Sequence, residues 1–439
     1  KVLSLSKDEE RDLLDFKAKL IAQLPYKLTE DQNNAHKQLA TLFFRKKTPQ
    51  SALLYGDVGS GKTVVMALLS ILMSYCKKTT FIMVPTAILA RQHYESYLKL
   101  FEYWGIPASD VILRTKADKK KVEPGKIVIG TQAILNVSDA EYENVGLMII
   151  DEQHRFGVVQ REKISKAMEQ SKYSPHLLNV SATPIPRSLA ESFLGYTETI
   201  YLKERPFSTR NIKTRLVENK DLERMYKWIA DQVRDSNRRA FLVYPTIDAS
   251  EKDELLSLLE SVDLLKQTVF HDIPFDVLHG KMKDIEKNEI MSRFQKGDIK
   301  ILLSTSVIEV GINVPEATII AIHSADHFGL AQLHQLRGRV GRAGQDAYCF
   351  VHLGTENQNS KERLEFFCKH EDGFELSEYD LANRGMGNVF GVEQSGVAGL
   401  KIADFSNIAL LKTADHLYHE LKKLKIPIKR YIISDAKSV

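Results

Sequence analysis

The eight residues from Gly56 to Thr63, GDVGSGKT, follow the pattern of a phosphate-gripping loop: glycine, four residues, then glycine-lysine-threonine. Glycines 56, 59 and 61, with Ser60 between the last two, let backbone N–H groups curl around the β- and γ-phosphates of a nucleotide. The next segment, VVMALLSILM, is apolar enough for a buried helix whose positive end would face those phosphates. Lys62 supplies a point charge, and the Thr63 hydroxyl a ligand for magnesium.

Hydrolysis of a magnesium nucleotide needs a second source of carboxylate. GLMIIDEQH (146–154) offers one: Asp151 follows an apolar strand and would hold the metal, while Glu152 would orient and deprotonate the attacking water. An acidic pair after a strand can also merely cap the next helix. The separation of about 90 residues between Lys62 and Asp151 leaves room for about three βαβ units, the span of one nucleotide-binding lobe. Positive charge for the γ-phosphate is available in QLRGRVGR (335–342). There Gln335 opens the segment, and Arg339 and Arg342 share a face if it is helical. The plain alternative is a basic helix face in water. SATPIPR (181–187), with Ser181 and Thr183, would stand at another strand end and link nucleotide to lobe closure.

These groups need a frame. Short apolar strands are expected at 51–55, 79–84, 126–130, 146–150 and 177–181, then at 240–244, 277–280, 300–304, 318–323 and 348–353. They carry little polar alternation, which marks strands covered on both faces. Alternation with helical stretches predicts parallel sheets in an α/β fold. The strand series pauses at KERPFSTRNIKT (203–214), read here as a hinge between two lobes. The division expected is a linker helix over 1–23, a nucleotide-binding lobe over 24–204, a second lobe over 205–358, and a helical C-terminal part over 359–439.

Composition narrows the class. Hydrophobic residues make up 43 % and charged residues 27 %, a globular balance that excludes wholesale disorder. The net charge of +4 is too small to name a partner. Three cysteines, Cys76, Cys349 and Cys368, form no paired spacing, which fits a reducing cytoplasmic compartment and no disulfide scaffold. No apolar run reaches membrane-spanning length, so no membrane is expected as a partner. Cys368 and His370 lack a second pair at zinc-ligand spacing. The run Lys119–Lys121 reads first as a solvated loop and second as a DNA track.

Taken together, the motifs resemble those of a superfamily-two helicase, and within it the RecG family of branched-DNA translocases. LPYKLTEDQ (24–32), with Gln32, resembles the adenine-recognition segment. After it come GDVGSGKT, PTAILARQHY (85–94), GTQAIL (130–135), DEQHRFGVVQR (151–161), SATPIPR, LHGKMKDIEKNEIMSRF (278–294), STSVIEVGINVP (304–315) and GLAQLHQLRGRVGRAG (329–344), in helicase order. DGFELSEYDLANRGMGNVFGVEQSG (372–396) resembles the translocation motif that RecG shares with the transcription-repair factor Mfd, with Arg384 and Gln394 at the coupling positions. Met386, Asn388 and Val392 depart from the usual wording there.

The resemblance implies two tandem RecA-like lobes followed by a helical hairpin, with ATP and Mg2+ as cofactors. The activity it implies is that of an ATP-dependent DNA helicase, regressing stalled forks and migrating Holliday junctions. Phosphate contacts would come from Thr86, Arg91, Gly130 and Thr131 in the first lobe, and from His279, Gly280 and Thr305 in the second, although Thr305 also suits a helix cap. The implied partners are branched duplex DNA and single-strand binding protein, with the chain acting as a monomer. The family's N-terminal wedge domain is expected to lie upstream or to have been removed, since position 1 is lysine. Two other readings stay open: an Mfd-like translocase acting on RNA polymerase, and a non-catalytic platform that uses ATP as a switch.

Overall fold

A computed structural model describes residues 5–46, 48–114, 122–135, 138–152, 175–182, 198–204, 211–234, 236–245, 265, 268–279, 282–305, 314, 316–341, 345–384, 413 and 417; of these, the side chains of 139, 140, 284 and 381–384 are left aside. The chain opens with α1 (Lys7–Ala22) and α2 (Glu30–Arg45). Both helices start in capping boxes, Ser6 with Glu9 and Thr29 with Gln32, in which each side chain satisfies a backbone N–H the helix itself leaves open. α1 is fastened to the core: Leu13 and Leu20 are buried, and the Trp104 indole donates to the Leu20 carbonyl at 2.8 Å.

The first sheet follows, with β1 (Ser51–Gly56), α3 (Lys62–Tyr75), β2 (Thr79–Met83), α4 (Ala87–Trp104), β3 (Val111–Arg114), β4 (Ile127–Gly130), the single turn α5 (Asp139–Tyr142), β5 (Val145–Asp151), β6 (His176–Ser181) and β7 (Glu198–Leu202). Its seven strands run parallel in the order β3-β4-β2-β5-β6-β1-β7. Residues Val64–Met73 of α3 are all buried, because this helix lies between the sheet and α1, α2 and α4. Phe81, Met83, Val128, Ile134, Met148 and Ile150 form the core on the opposite face. Burying one such side chain contributes about 1.5–3 kcal/mol, so the sheet interior dominates the stability of this half.

The second half contains β8 (Ile212–Val217), α6 (Leu222–Arg234), β9 (Arg239–Val243), β10 (Phe275–Leu278), α7 (Asp284–Lys296), β11 (Ile301–Ser304), β12 (Ala317–Ile322), α8 (Leu330–Arg337), β13 (Ala347–His352), α9 (Gln358–Lys369) and α10 (Gly373–Arg384). Six parallel strands take the order β10-β11-β9-β12-β13-β8. Two apolar layers cover its faces, one built around Phe241, Phe294 and Leu333, the other around Ile229, Leu242 and Phe270. The chain is thus α/β with two tandem parallel-sheet lobes, as the strand pattern predicts.

Three strands, β3, β7 and β8, were not expected from the sequence, and all three lie at sheet edges. An edge strand packs on fewer neighbours and tolerates polar residues, so its apolar signal is weak; β8 reads IKTRLV with alternating exposure. β8 also corrects the hinge reading of 203–214. Ile212, Lys213 and Thr214 pair with Ala347, Tyr348 and Cys349 as part of the second sheet, while Lys203 and Glu204 donate their backbone N–H groups to Asp31 at 2.7 and 2.8 Å. Residues 205–210 and most of the C-terminal tail lie outside the described residues.

Candidate active site

Parallel strands bring their C-terminal ends to one edge, the place where such sheets present ligand-binding turns. In the first lobe this edge collects Gly56 from β1, Gly130 at the end of β4 with Thr131 after it, Asp151 at the end of β5 with Glu152 after it, and Ser181 from β6, which pairs with Tyr55 of β1. His279 and Thr305 follow β10 and β11 in the second lobe.

The phosphate loop is built on steric grounds. Gly59 and Gly61 have φ of 87° and 81°, the left-handed region, and Gly61 forms the cap of α3. A Cβ on Gly56 would stand 2.4 Å from Ser60 Oγ. The Lys62 ammonium donates to the carbonyl of Asp57 at 3.0 Å and to that of Gly56, closing the loop on itself. Burial holds the Lys62 pKa below its ordinary value, and Arg339 adds to this. The negative charges of Glu152, Asp151 and Asp57 oppose it. Gln32, buried, donates its amide to the Ser60 carbonyl at 2.9 Å, so the adenine-segment residue also braces the phosphate loop.

Asp151 is 7 % exposed, and its Oδ2 sits 2.9 Å from His93 Nε2. His93 was not singled out in the sequence. A signal exists, however: Leu89, His93 and Tyr97 fall at helical spacing on the buried stripe of α4, and a histidine on such a stripe needs a polar partner. Glu152 has φ of 56°, unusual for a residue with a side chain, and its N–H donates to the Val180 carbonyl at 2.8 Å. Strain of this kind concentrates where a side chain must be aimed.

From the second lobe come Gln335 and Arg339, both buried. The helix on which Arg339 and Arg342 would share a face stops short of Arg339, and Arg342 lies outside the described residues. α8 ends at Arg337, Gly338 follows, and Arg339 lies in a turn leading to Gly341 at φ 71°. Glycines at these two places break the helix before its charge reaches the cleft.

The remaining predicted residues divide. Thr86 caps α4 by accepting from the Leu89 N–H at 3.3 Å, and Arg91 is exposed on the same helix. Gly130 has its own structural requirement, since a Cβ there would lie 2.0 Å from the Arg114 carbonyl oxygen. Thr131 accepts from Ile134 N–H through its carbonyl at 3.0 Å, and Thr305 donates its N–H to Leu278 at 3.4 Å. Thr63 is partly buried at the start of α3. Thr183, Gly280, Arg342 and Gln394, with Met386, Asn388 and Val392, lie outside the described residues, as does the Arg384 side chain.

Residues 29–192 match the DEAD/DEAH box helicase family, and residues 221–344 the helicase conserved C-terminal domain. The chain is 43 % identical over 403 residues to ATP-dependent DNA helicase RecG of Thermotoga maritima, covering 90 % of this chain and 51 % of the relative. The same-named protein of Bacillus subtilis is 35 % identical over 95 % of this chain and 60 % of its own length. A solved structure of RecG bound to a three-way DNA junction superposes with a TM-score of 0.71 at 37 % identity, covering 93 % of this chain and 53 % of that one. Over about nine-tenths of its length the chain is similar to the helicase part of the RecG proteins. It spans about half the length of the curated RecG relatives it matches. Beyond the family, a yeast Dbp5 structure bound to RNA and ADP BeF3 shares the fold alone, at 14 % identity and a TM-score of 0.59. Among the described residues, no helix is long and apolar enough to cross a membrane.

Proposed function

We propose that this chain is the ATP-driven motor core of a RecG-type enzyme that translocates on duplex DNA and remodels branched DNA, regressing stalled forks and migrating Holliday junctions in recombination and repair. The observation that carries the proposal is that the second lobe touches the phosphate loop of the first: His334 Nε2 of α8 lies 2.9 Å from Asp57 Oδ1, and Gly338 lies against Val58. A site completed by both lobes makes nucleotide the link between them.

Lys62, the loop glycines and Ser60 would hold the phosphates, with Gln32 toward the base. Glu152 would orient and deprotonate the attacking water, and Gln335, Arg339 and Arg342 would stabilise the charge that develops. The residues present fit a magnesium ion: Asp151 is a buried carboxylate braced by His93, and Thr63 brings a hydroxyl to the same edge. When bound, magnesium neutralises phosphate charge. Thr86, Arg91, Gly130, Thr131, Ser181, Thr183, His279, Gly280 and Thr305 are the candidates for gripping DNA phosphates without reading sequence. Arg384 and Gln394 would couple lobe motion to the duplex. The intact Glu152, Arg339 and Arg342 speak against a non-catalytic platform, which would be expected to have lost them.

The test is ATP turnover on forked, linear duplex and single-stranded DNA for the wild-type chain, Lys62→Ala and Glu152→Gln. Branched or duplex DNA should stimulate the wild type and neither variant. Undiminished turnover in both variants would end the proposal. For coupling, Arg384→Ala should keep stimulated turnover and lose junction unwinding.

A further inference from the structure

The junction between β1 and the phosphate loop is touched from the far half of the chain at neighbouring positions. Asp57, the second residue of the loop, places Oδ1 2.9 Å from His334 Nε2 on α8, and the same oxygen accepts the Val58 N–H at 2.6 Å. On its other side, His334 Nδ1 lies 3.1 Å from Arg337 Nη2. A guanidinium only donates, so Nδ1 accepts and the imidazole proton sits on Nε2, directed at the Asp57 carboxylate. Arg337 is itself fixed by the carbonyls of Phe367 in α9 and of His370 just after it, both at 3.0 Å. Gly338, next in the chain, lies against Val58, with 3.2 Å from its would-be Cβ to the valine Cβ.

Two residues before Asp57, Tyr55 is the penultimate residue of β1, and its ring meets that of Phe374 in the first turn of α10, centroids 4.5 Å apart at an interplanar angle of 63°. Tyr201 of β7 completes the group at 5.4 Å from the Phe374 ring. Edge-to-face arrangements of this kind are directional as well as apolar. α10 is also tied to the start of α8, where Asp380 accepts the Leu330 N–H at 2.9 Å. α8 therefore runs as a strut, held at its beginning by α10 and bearing the phosphate loop at its end.

We infer that His334 and Phe374 are positioning residues which clasp the β1–phosphate-loop junction from the second half, His334 through Asp57 and Phe374 through Tyr55 and Tyr201, so that a change in the loop is transmitted to α10. Neither touches the reacting atoms. The inference rests on the ATP-driven motor reading above. It adds a direct path from the loop to the C-terminal helices beside the one through Arg339.

The experiment measures ATP turnover and KM with and without duplex DNA for wild type, His334→Ala, His334→Gln, Phe374→Ala and Phe374→Tyr, with a thermal melt of each. The alanine variants should keep DNA-free turnover and KM within about twofold while DNA-stimulated kcat falls about tenfold, a size usual for coupling between sites. Gln restores an N–H donor near the Nε2 position and Tyr restores the ring, so both should recover most of the stimulation. In parallel, amide hydrogen exchange over residues 55–62 should quicken in the alanine variants without nucleotide. If an alanine variant fails to fold, the comparison of Gln and Tyr with wild type decides: wild-type stimulation supports the clasp, and a tenfold loss in these folded variants overturns it. Full stimulation and unchanged exchange in both alanine variants would also overturn it while leaving the motor reading intact. A wild-type chain that never turns over ATP would instead sink the motor reading.

Discussion

His93 Nε2 and Asp151 Oδ2 stand 2.9 Å apart, with side chains only 9 and 10 % exposed. At that burial the contact escapes solvent screening, and it leaves the carboxylate one orientation at the end of β5. Partners that orient a ligand in this way commonly cost about 10–100-fold in metal affinity or activity when removed. His93→Ala should therefore raise the magnesium concentration needed for half-maximal ATP turnover by about that factor. A magnesium titration checks it, alongside a fluorescent-nucleotide binding curve with and without the ion. An unchanged magnesium requirement would reduce His93 to a packing residue.

Glu152 holds a left-handed backbone conformation, with φ of 56°. For a residue with a Cβ this costs about 1–2 kcal/mol, which glycine avoids. Glu152→Gly should abolish ATP turnover and yet raise the melting temperature of the first lobe by a few degrees, about 2–4 °C per kcal/mol for a unit of this size. Glu152→Gln keeps the strain and should melt with the wild type. A glycine variant that melts lower would mean that the carboxylate's contacts outweigh the backbone cost.

Arg339 lies buried in the turn after α8 rather than on a helix face. Arg339→Ala should lower kcat for ATP by at least about a hundredfold, the usual size for removing one group that stabilises developing charge. KM should move far less. Arg339→Lys keeps the charge but loses the planar fork, and should fall between the two. Equal loss in kcat and gain in KM would place Arg339 in nucleotide binding instead.

Three buried histidines make the fold acid-sensitive. Burial pushes His36 down to about 3, with the charge of Lys17 adding to it; it pushes His323 down to about 3, with His352 adding, and His176 down to about 4, all from an ordinary 6.5. Neither ring nitrogen of His36 has a hydrogen-bond partner among the described residues. The unfolded chain takes up protons that these folded sites refuse. Their stabilising contribution is thus complete above about pH 6.5 and drains as pH falls toward the folded values, by up to about 1.4 kcal/mol per pH unit for each site. Thermal melts between pH 7.5 and 5 should show the decline, and His36→Leu should flatten it. Parallel pH profiles for the two proteins would refute the assignment.

At Gly130 the backbone passes so close to Arg114 that an added methyl group would clash with a carbonyl oxygen. Gly130→Ala should cost about 1–3 kcal/mol of stability, the usual penalty of overpacking. Denaturant unfolding tests this without any DNA. A stable alanine variant with impaired DNA binding would instead assign the glycine to the nucleic acid.

Much of this protein is written in short stretches of chain. GDVGSGKT specifies a phosphate loop because its glycines and lysine act through local backbone geometry. The central strands announce themselves because burial on both faces demands runs such as FIM and LMII. Only assembly could decide the rest. β3, β7 and β8 exist as strands through their partners, and their own residues are too polar or too few to declare it. In QLRGRVGR the glycine after Arg337 was a local stop signal, but where the residues beyond it would come to rest was not legible there. The pairs His93–Asp151, Asp57–His334 and Tyr55–Phe374 join residues 58, 277 and 319 positions apart. Such contacts depend on where two sheets come to rest, and neither periodicity nor motif spacing carries that information.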